Sequence, residues 1–486
     1  MPNTKEEQFR KACEASALDA QGNTVLHEHL ENYRQAFQNQ APRFQNLENA
    51  KKKAHLIKWK AIENMDRYLL DFETNFSRAG GKVIWANTAS EALEELDKLL
   101  ATYQPSHIAT NHAMIHEEIG LPKYLAESKY RADEADLGRY LAQLNGTKPT
   151  HVIQPAIELS EEQAKALWDA KHPETIPVES TQAEKAAEDE ADLEDDQAAP
   201  AEAVATKILH GFRKIQRERA TSTDVMISGA SHLLADTGSV VISENEGNNR
   251  LHNAFAPYHI VFAGIDKILP SIHDLDLFLP LGSLHDHGQR LQRHHSLLTG
   301  PQRGRETDGP TQMVLILVDN GRSNLLALTE QRQALYWMEC GASTNACAMY
   351  KTIGGEAYQN TYPGPMGAVF TQHLDSEESY DYLQHAASFT DTQRANPLNI
   401  DIDRLLLKNR HDRVNEATKP LPESRTWSWY TKLAKNRKYI DFLGKGLKNM
   451  FIKLFFKKSW GDQRVLPRVP DKSFSTQWRS KAKDTD

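Results

Sequence analysis

Apolar residues recur at intervals of three and four through the first part of the chain: Leu47, Ala50, Ala54, Ile57, Ala61, Met65, Tyr68 and Phe72. That spacing predicts amphipathic helices over residues 5–79, with one face laid against a larger body. From residue 80 to 330 the period changes, and short apolar runs alternate with helical stretches. Gly80-Gly81 turns into a strand over Lys82–Ala86, a helix follows over Ala89–Ala101, and further strands are expected at 106–110, 151–154, 239–243, 259–264 and 313–318. These runs are apolar throughout rather than alternating, which predicts an α/β fold with an open sheet covered on both faces.

Residues 224–254 stand out within this region because brief strand-like runs are punctuated there by turn formers. Asp236-Thr237-Gly238 precedes the β-branched run Ser239–Ser243, and Glu244–Asn249 follows it. Glycines at 229, 238 and 247 permit close backbone approach, and Glu246 beside Gly247 would project a charge from a tight corner. The pattern suits a ligand cradle, and equally a hairpin with polar turns.

Charge divides the chain unevenly. Residues 425–486 hold sixteen Lys and Arg against five acids, although the whole chain is at −8. Residues 184–202 carry nine acids and one lysine, a self-repelling block expected to be a solvated insert, spanning about 181–205. Three cysteines (Cys13, Cys340, Cys347) are too few for a secreted disulfide framework. No apolar run approaches the roughly 18 residues of a membrane helix, so a cytoplasmic protein is expected. His285, His287, His294 and His295, and separately His112 and His116, raise a metal reading, but only the second pair has helical i, i+4 spacing. In the basic tail, Ile440, Leu443, Leu447, Met450, Phe451 and Leu454 share one helical face, with Lys445, Lys448, Lys453 and Lys457 around the other. Such a helix suits either packing or peripheral contact with an anionic membrane at the inner face. No nucleic-acid-binding fold accompanies the charge.

Several strings, taken in order, resemble the lactate utilization protein B family. They are NMDRYLLDFETNFSRAGGKVIWA at 64–86, HEEIGL at 116–121, EADLGRYLAQLNGTKPTHVIQPAI at 134–157 and ADTGSVVISENEGNNR at 235–250. The series continues with SLLTGPQRG at 296–304, VDNGRSNLLA at 318–327, CGASTNACAMYKTIGG at 340–355 and YPGPMGAV at 362–369. The resemblance implies a LUD domain, related to the sugar-phosphate isomerase and CoA-transferase type fold, followed by a helical ferredoxin-like module with two 4Fe–4S clusters. The expected organisation is a helical N-terminal region (1–79), the LUD domain (80–330), the module (331–424) and the basic tail (425–486).

What the family implies for function is participation, with other lactate-utilization subunits, in oxidising L-lactate to pyruvate and passing electrons through clusters. Carried onto this chain, it points to Glu246 and Asp236 as catalytic acids. Thr237, Gly238, Gly247, Asn248, Glu118, Asn320 and Arg322 become residues for a small carboxylate or phosphate ligand. The family has Glu where Asp236 stands, so that charge is drawn back by one methylene.

The module departs from the family further. Its first cluster string should read Cys-x2-Cys-x2-Cys-x3-Cys-Pro, because a cubane needs converging thiolates. Here those places hold Trp337, Cys340, Ser343, Cys347 and Ala348, and the second string offers Phe389, Thr392 and Asn396. Cys340 and Cys347 are remnants of a cluster site, expected to be unoccupied, and no cofactor is expected. Two functions therefore compete: a lactate-utilization subunit without its own clusters, and a cluster-free binding or assembly protein.

Overall fold

Short runs of Val, Ile, Leu and Phe between residues 80 and 330 pair into two sheets. The computed structural model describes residues 5–173, 200–374, 382–383, 392–416, 428–432, 435, 444–460, 465–472, 474 and 477–478. Most of the acidic insert lies outside the described residues, as do Phe389, Trp427, Ile440 and Leu443; residues 200–205 begin a helix.

The strands are β1 (Lys82–Ala86), β2 (His107–Thr110), β3 (Arg131–Glu134), β4 (Val225–Gly229), β5 (His232–Leu234), β6 (Ser239–Glu244), β7 (Tyr258–Gly264), β8 (Ile268–Leu269), β9 (His294–Leu298) and β10 (Gln312–Val318). One six-stranded sheet has the order β1-β10-β7-β4-β2-β3, with every pair parallel. A smaller mixed sheet runs β8-β5-β6-β9. Successive side chains of a strand face opposite ways. Ile260 and Phe262 of β7 therefore join Val314 and Ile316 of β10 in one core, while Val261 and Ala263 join Leu315 and Leu317 in the other. Burial on both faces accounts for runs with no polar alternation.

Helices before the large sheet are α1 (Lys5–Leu18), α2 (Ala20–Gln40), α3 (Leu47–Glu63) and α4 (Met65–Arg78). Helix α5 (Ala89–Tyr103) starts where Thr88 Oγ1 accepts from Glu91 N at 3.1 Å, and it buries Ala92, Leu96 and Leu100 at i, i+4 spacing against the sheet. Next come α6 (Met114–Glu118), α7 (Leu121–Glu127), α8 (Leu137–Leu144), α9 (Glu161–Lys171), α10 (Pro200–Ala220), α11 (Asn248–Phe255), α12 (Leu275–His287) and α13 (Arg322–Ala327). The C-terminal module supplies α14 (Ala342–Ala346), α15 (Ala348–Ile353), α16 (Gly364–Phe370), α17 (Thr392–Ala395) and α18 (Ile402–Glu416).

The N-terminal helices do not form a separate layer. Phe9 of α1 packs on Tyr358 and Tyr382, with ring centroids 6.3 and 4.9 Å away, and one continuous core runs from Phe9 through Val261 to Leu406. Residues Met1–Asn409 form one compact unit, and Arg410–Asp486 form a second. The second contains α19 (Lys445–Trp460), along which Asn449 Oδ1 accepts from Val469 N at 2.8 Å and Lys445 pairs with Asp471.

One expected strand is absent. Residues 151–154 form bends, because His151 Nδ1 accepts from both Ile153 N (3.2 Å) and Gln154 N (3.1 Å) and pulls the backbone into a turn. The same ring's Nε2 donates to Asn345 Oδ1 at 3.0 Å, tying this loop to the module. The strands β3, β4, β5, β8 and β9 were not apparent as separate runs in the sequence, being short or continuous with polar flanks.

Candidate functional site

Parallel strands leave their carboxyl ends open to ligands, since the loops there diverge while the sheet supplies a rigid floor. Beyond the ends of β2, β3, β4 and β7 lies a cavity of about 480 Å³, within the range of small-molecule sites. Asn111, Ala135, Gly229 and Gly264 line it from the sheet, His29 from α2, Phe278 and Asp286 from α12, and Met338 and Glu339 from the module.

Glu246 enters this cavity from the turn after β6. Gly247 adopts φ +78° and starts α11, and a Cβ there would approach His294 Nε2 to 3.0 Å. The Glu246 carboxylate accepts from Leu137 N at 3.2 Å and from Asn248 Nδ2 at 2.8 Å, and Asn248 also donates to Ala135 O. Burial, with the nearby charge of Asp136 behind it, pushes the Glu246 carboxyl up to about 8. Asp136 caps α8 by accepting from Arg139 N at 2.7 Å. Glu244 accepts from Asn249 N and Arg250 N, at 3.0 and 2.9 Å, and burial raises its carboxyl as well. On the opposite wall, burial pushes Asp286 up to about 8 against the pull of Lys267. Lys267 is itself paired with Glu339 at 2.8 Å. Glu339 has φ +56°, a left-handed backbone that a non-glycine residue rarely adopts.

Other residues expected at the site lie elsewhere. Asp236, Thr237 and Gly238 form the turn that opens β6, whereas Glu246 follows its far end, so six strand residues, roughly 20 Å, separate them. Asp236 accepts from Ser271 Oγ at 2.7 Å and Ile272 N at 3.1 Å, which caps the turn Ile272–Asp274. Thr237 Oγ1 accepts from Ser239 Oγ at 2.8 Å, and Gly238, at φ +65°, lies against the backbone of Asn75 and Phe76, with no room for a side chain. None of the three lines the cavity.

Glu118, Asn320 and Arg322 do come together, but below the cavity as a buried ion-pair network. Arg322 is fully buried and grips Glu118 with two bonds, at 2.7 and 2.8 Å, and Asp266 with a third at 2.6 Å. Asn320 Nδ2 and Tyr362 Oη donate to the same Glu118 carboxylate at 2.8 and 2.5 Å. Lys58 of α3 donates to the Asp266 carbonyl, and the Phe370 ring lies 5.2 Å from the guanidinium carbon. Burial would lift the Asp266 carboxyl, yet Arg322, Lys267 and Lys58 together hold it below the usual carboxylate range. Apart from the buried Asn320 Oδ1, which has no partner, these groups spend their hydrogen bonds on one another.

In the module, an indole stands where the family resemblance led one to expect the first cluster thiolate. Trp337 is 2% exposed and packs edge-on against Tyr362 and Phe370, at 5.4 and 6.0 Å. Cys340, Ser343 and Cys347 are buried, and Ser343 Oγ has no partner. Burial pushes the Cys340 thiol up to about 12, away from the thiolate a metal needs. Asn396 turns its Oδ1 to Leu398 N at 2.8 Å. These residues do not fit a four-thiolate cubane. Among the described residues, no three His, Cys, Asp or Glu side chains are placed to hold a metal ion, the histidine clusters included.

The family model for the LUD domain matches residues 69–318. Lactate utilization protein B of Bacillus velezensis is 32% identical over 78% of this chain and 75% of its own, and that of Bacillus subtilis is 32% identical over 76% and 72%. The chain belongs to the lactate utilization protein B family. A member from Oceanobacillus iheyensis aligns over 93% of this chain at 29% identity, so the likeness extends through the module and into the tail. A crystal structure of a DUF162 family protein from Deinococcus radiodurans covers 48% of this chain and 99% of its own at 12% identity, with a TM-score of 0.17.

Sequence reasoning missed Asp136, Lys267 and Asp286, and it named Asn249 only within a turn and His287 only in a metal reading; all five line the cavity. A signal for three of them was present. Asp136 follows a short strand and begins a helix, and Asp286-His287-Gly288 ends one, both being places where side chains meet a sheet's open edge.

Two substitutions separate the network from the cavity. Glu118→Gln turns an amide N–H toward four donors and should lower unfolding free energy by about 3–5 kcal/mol in urea titration, the usual cost of breaking a buried ion pair. Glu246→Gln mimics the protonated acid. A carboxyl raised to about 8 in the folded protein favours folding fully below the unfolded value near 4.5 and loses that contribution as pH rises through 8. The variant should therefore match the parent near pH 4 and become more stable than it by roughly 2–4 kcal/mol by pH 8.

Proposed function

We propose that the protein serves a lactate-utilization system as a LUD-domain subunit that carries no iron–sulfur cluster of its own. Membership of the lactate utilization protein B family supports the system, and relatives bearing that name match most of the chain. The observation that carries the second half is the packing of Trp337 between Tyr362 and Phe370. An aromatic cluster there does what a cubane does mechanically: it fills the space between the module's helices with a rigid apolar body. The scaffold is kept, and with it the docking of the module against α1 and the LUD sheet, without an electron carrier. Partners within the system would have to supply any redox centre. Protein purified anaerobically should be colourless and hold no stoichiometric iron or acid-labile sulfide; broad absorbance near 400 nm with about four irons per chain would overturn this.

A second reading, a binding or assembly protein, is favoured by the cavity, whose walls are intact although the cluster positions are not. The two are compatible if the subunit acts by holding a small molecule or a partner rather than by moving electrons.

The tail bears on where such a subunit works. On α19, Leu447, Met450, Phe451 and Leu454 are exposed along one stripe, with Lys448 on one side and Lys453 and Lys457 on the other. Among the described residues no helix is long and apolar enough to cross a membrane. The stripe suits a helix lying in the headgroup region of an anionic surface. The full chain should sediment with phosphatidylglycerol vesicles at low salt, lose that binding on truncation after Ser424, and release as ionic strength rises.

A further inference from the structure

The charge of the cavity at the carboxyl ends of the parallel strands is one-sided. Five carboxylates line it, those of Asp136, Glu244, Glu246, Asp286 and Glu339, and the single lysine, Lys267, is already engaged by Glu339. No arginine is among the lining residues. A small carboxylate or phosphate, the ligand suggested by family resemblance, would find neither an arginine nor an unpaired lysine in the lining to receive it.

The hydrogen-bond inventory says what is wanted instead. Glu244 and Asp136 accept from backbone N–H groups of their own loops, and Glu246 accepts from Asn248 Nδ2 beside it and from Leu137 N at the start of α8. Asp286 accepts from no described residue, although it sits at the end of α12 facing the cavity, beside His287, which lines it too. Asp286 is partly exposed toward the cavity, and its unpaired carboxyl group is placed to meet a ligand ammonium or hydroxyl. A second group points to a ligand independently. Asn249 lines the same cavity, is 3% exposed, and its Nδ2 donor has no partner. That donor calls for an oxygen acceptor on the ligand. Glu339, held by Lys267 in a left-handed backbone, brings its carboxylate into the wall at a conformational cost, which is common where a side chain is positioned for binding.

We propose that this cavity binds a small hydroxylated organic cation, of the amino-alcohol or amino-sugar class, with its ammonium on Asp286 and a hydroxyl oxygen on Asn249 Nδ2, and that it rejects free carboxylates, L-lactate included. The volume suits a molecule of about the size of a hexose. Burial holds Asp286 and Glu246 up near 8 in the absence of such a cation. An ammonium would favour their ionised forms, so binding releases protons and strengthens as pH rises from about 6 to about 8.

The test holds molecular size fixed and varies charge. Glucamine, sorbitol and gluconate share a six-carbon hydroxylated backbone and are respectively positive, neutral and negative at pH 7.5. Calorimetric titration of the full-length protein at low salt should rank glucamine above sorbitol and sorbitol above gluconate, with L-lactate as weak as gluconate. Heats measured in buffers of different ionisation enthalpy should show proton release for glucamine. Asp286→Asn should weaken glucamine by about tenfold or more and leave sorbitol nearly unchanged. Should that variant not fold, added salt on the parent protein serves the same purpose, weakening glucamine but not sorbitol. The proposal is overturned if gluconate or L-lactate binds as tightly as glucamine, if all three polyols bind alike, or if glucamine does not bind. None of these outcomes touches the iron content, so the cluster-free reading stands or falls separately.

Discussion

Everything in the compact unit hangs on one buried guanidinium. Arg322 has no contact with solvent, and a charge in that position is tolerable only if every N–H finds an acceptor. Glu118 and Asp266 supply them, and those carboxylates in turn recruit Asn320, Tyr362 and, through a carbonyl, Lys58. The members come from the helix after β2, the turn after β7, the turn after β10, the N-terminal α3 and the module. Breaking such a network strands a buried charge, so parting any of its members is costly. The network ties these five stretches of chain together under the sheet's open edge.

That role explains why Glu118, Asn320 and Arg322 look like ligand residues in the sequence. They lie in strings shared with the family, and Asn320 and Arg322 flank a turn glycine just beyond the carboxyl end of β10, which is where binding residues lie. Nothing in a linear pattern distinguishes a guanidinium that meets a substrate from one that meets two carboxylates of its own chain. The α/β class, the sheet with two covered faces and the helical N-terminal region were legible because each follows from local period: 3.6 for residues 47–72, unbroken apolar runs for β7 and β10. Glu246 was legible too, from a carboxylate next to a turn glycine. Asp236 shared that signature but lies at the other end of β6, and strand length, not residue type, decides which end opens onto the cavity. Asn249 and Lys267 could not be found without the fold, since their loops converge only once the strands are ordered β10-β7-β4-β2.

The module shows a different kind of persistence. Helices α14 to α16 are each too short to hold together alone. Trp337, Tyr362 and Phe370 form one aromatic cluster among them, and Phe370 also covers the face of Arg322. The aromatic cluster is therefore continuous with the ion-pair network.

His29 of α2, and Met338 and Glu339 of the loop that begins the module, are walls of the cavity, yet all three fall outside residues 69–318. The recognisable domain is thus smaller than the vessel it contributes to. Cutting the gene at the homology boundaries would remove two sides of the container and the Lys58 and Tyr362 ends of the internal scaffold. Fragments, fusions and domain swaps made along those boundaries would report on a different molecule; the natural limits for such work are the ends of the unit that closes around the cavity, near residues 1 and 409.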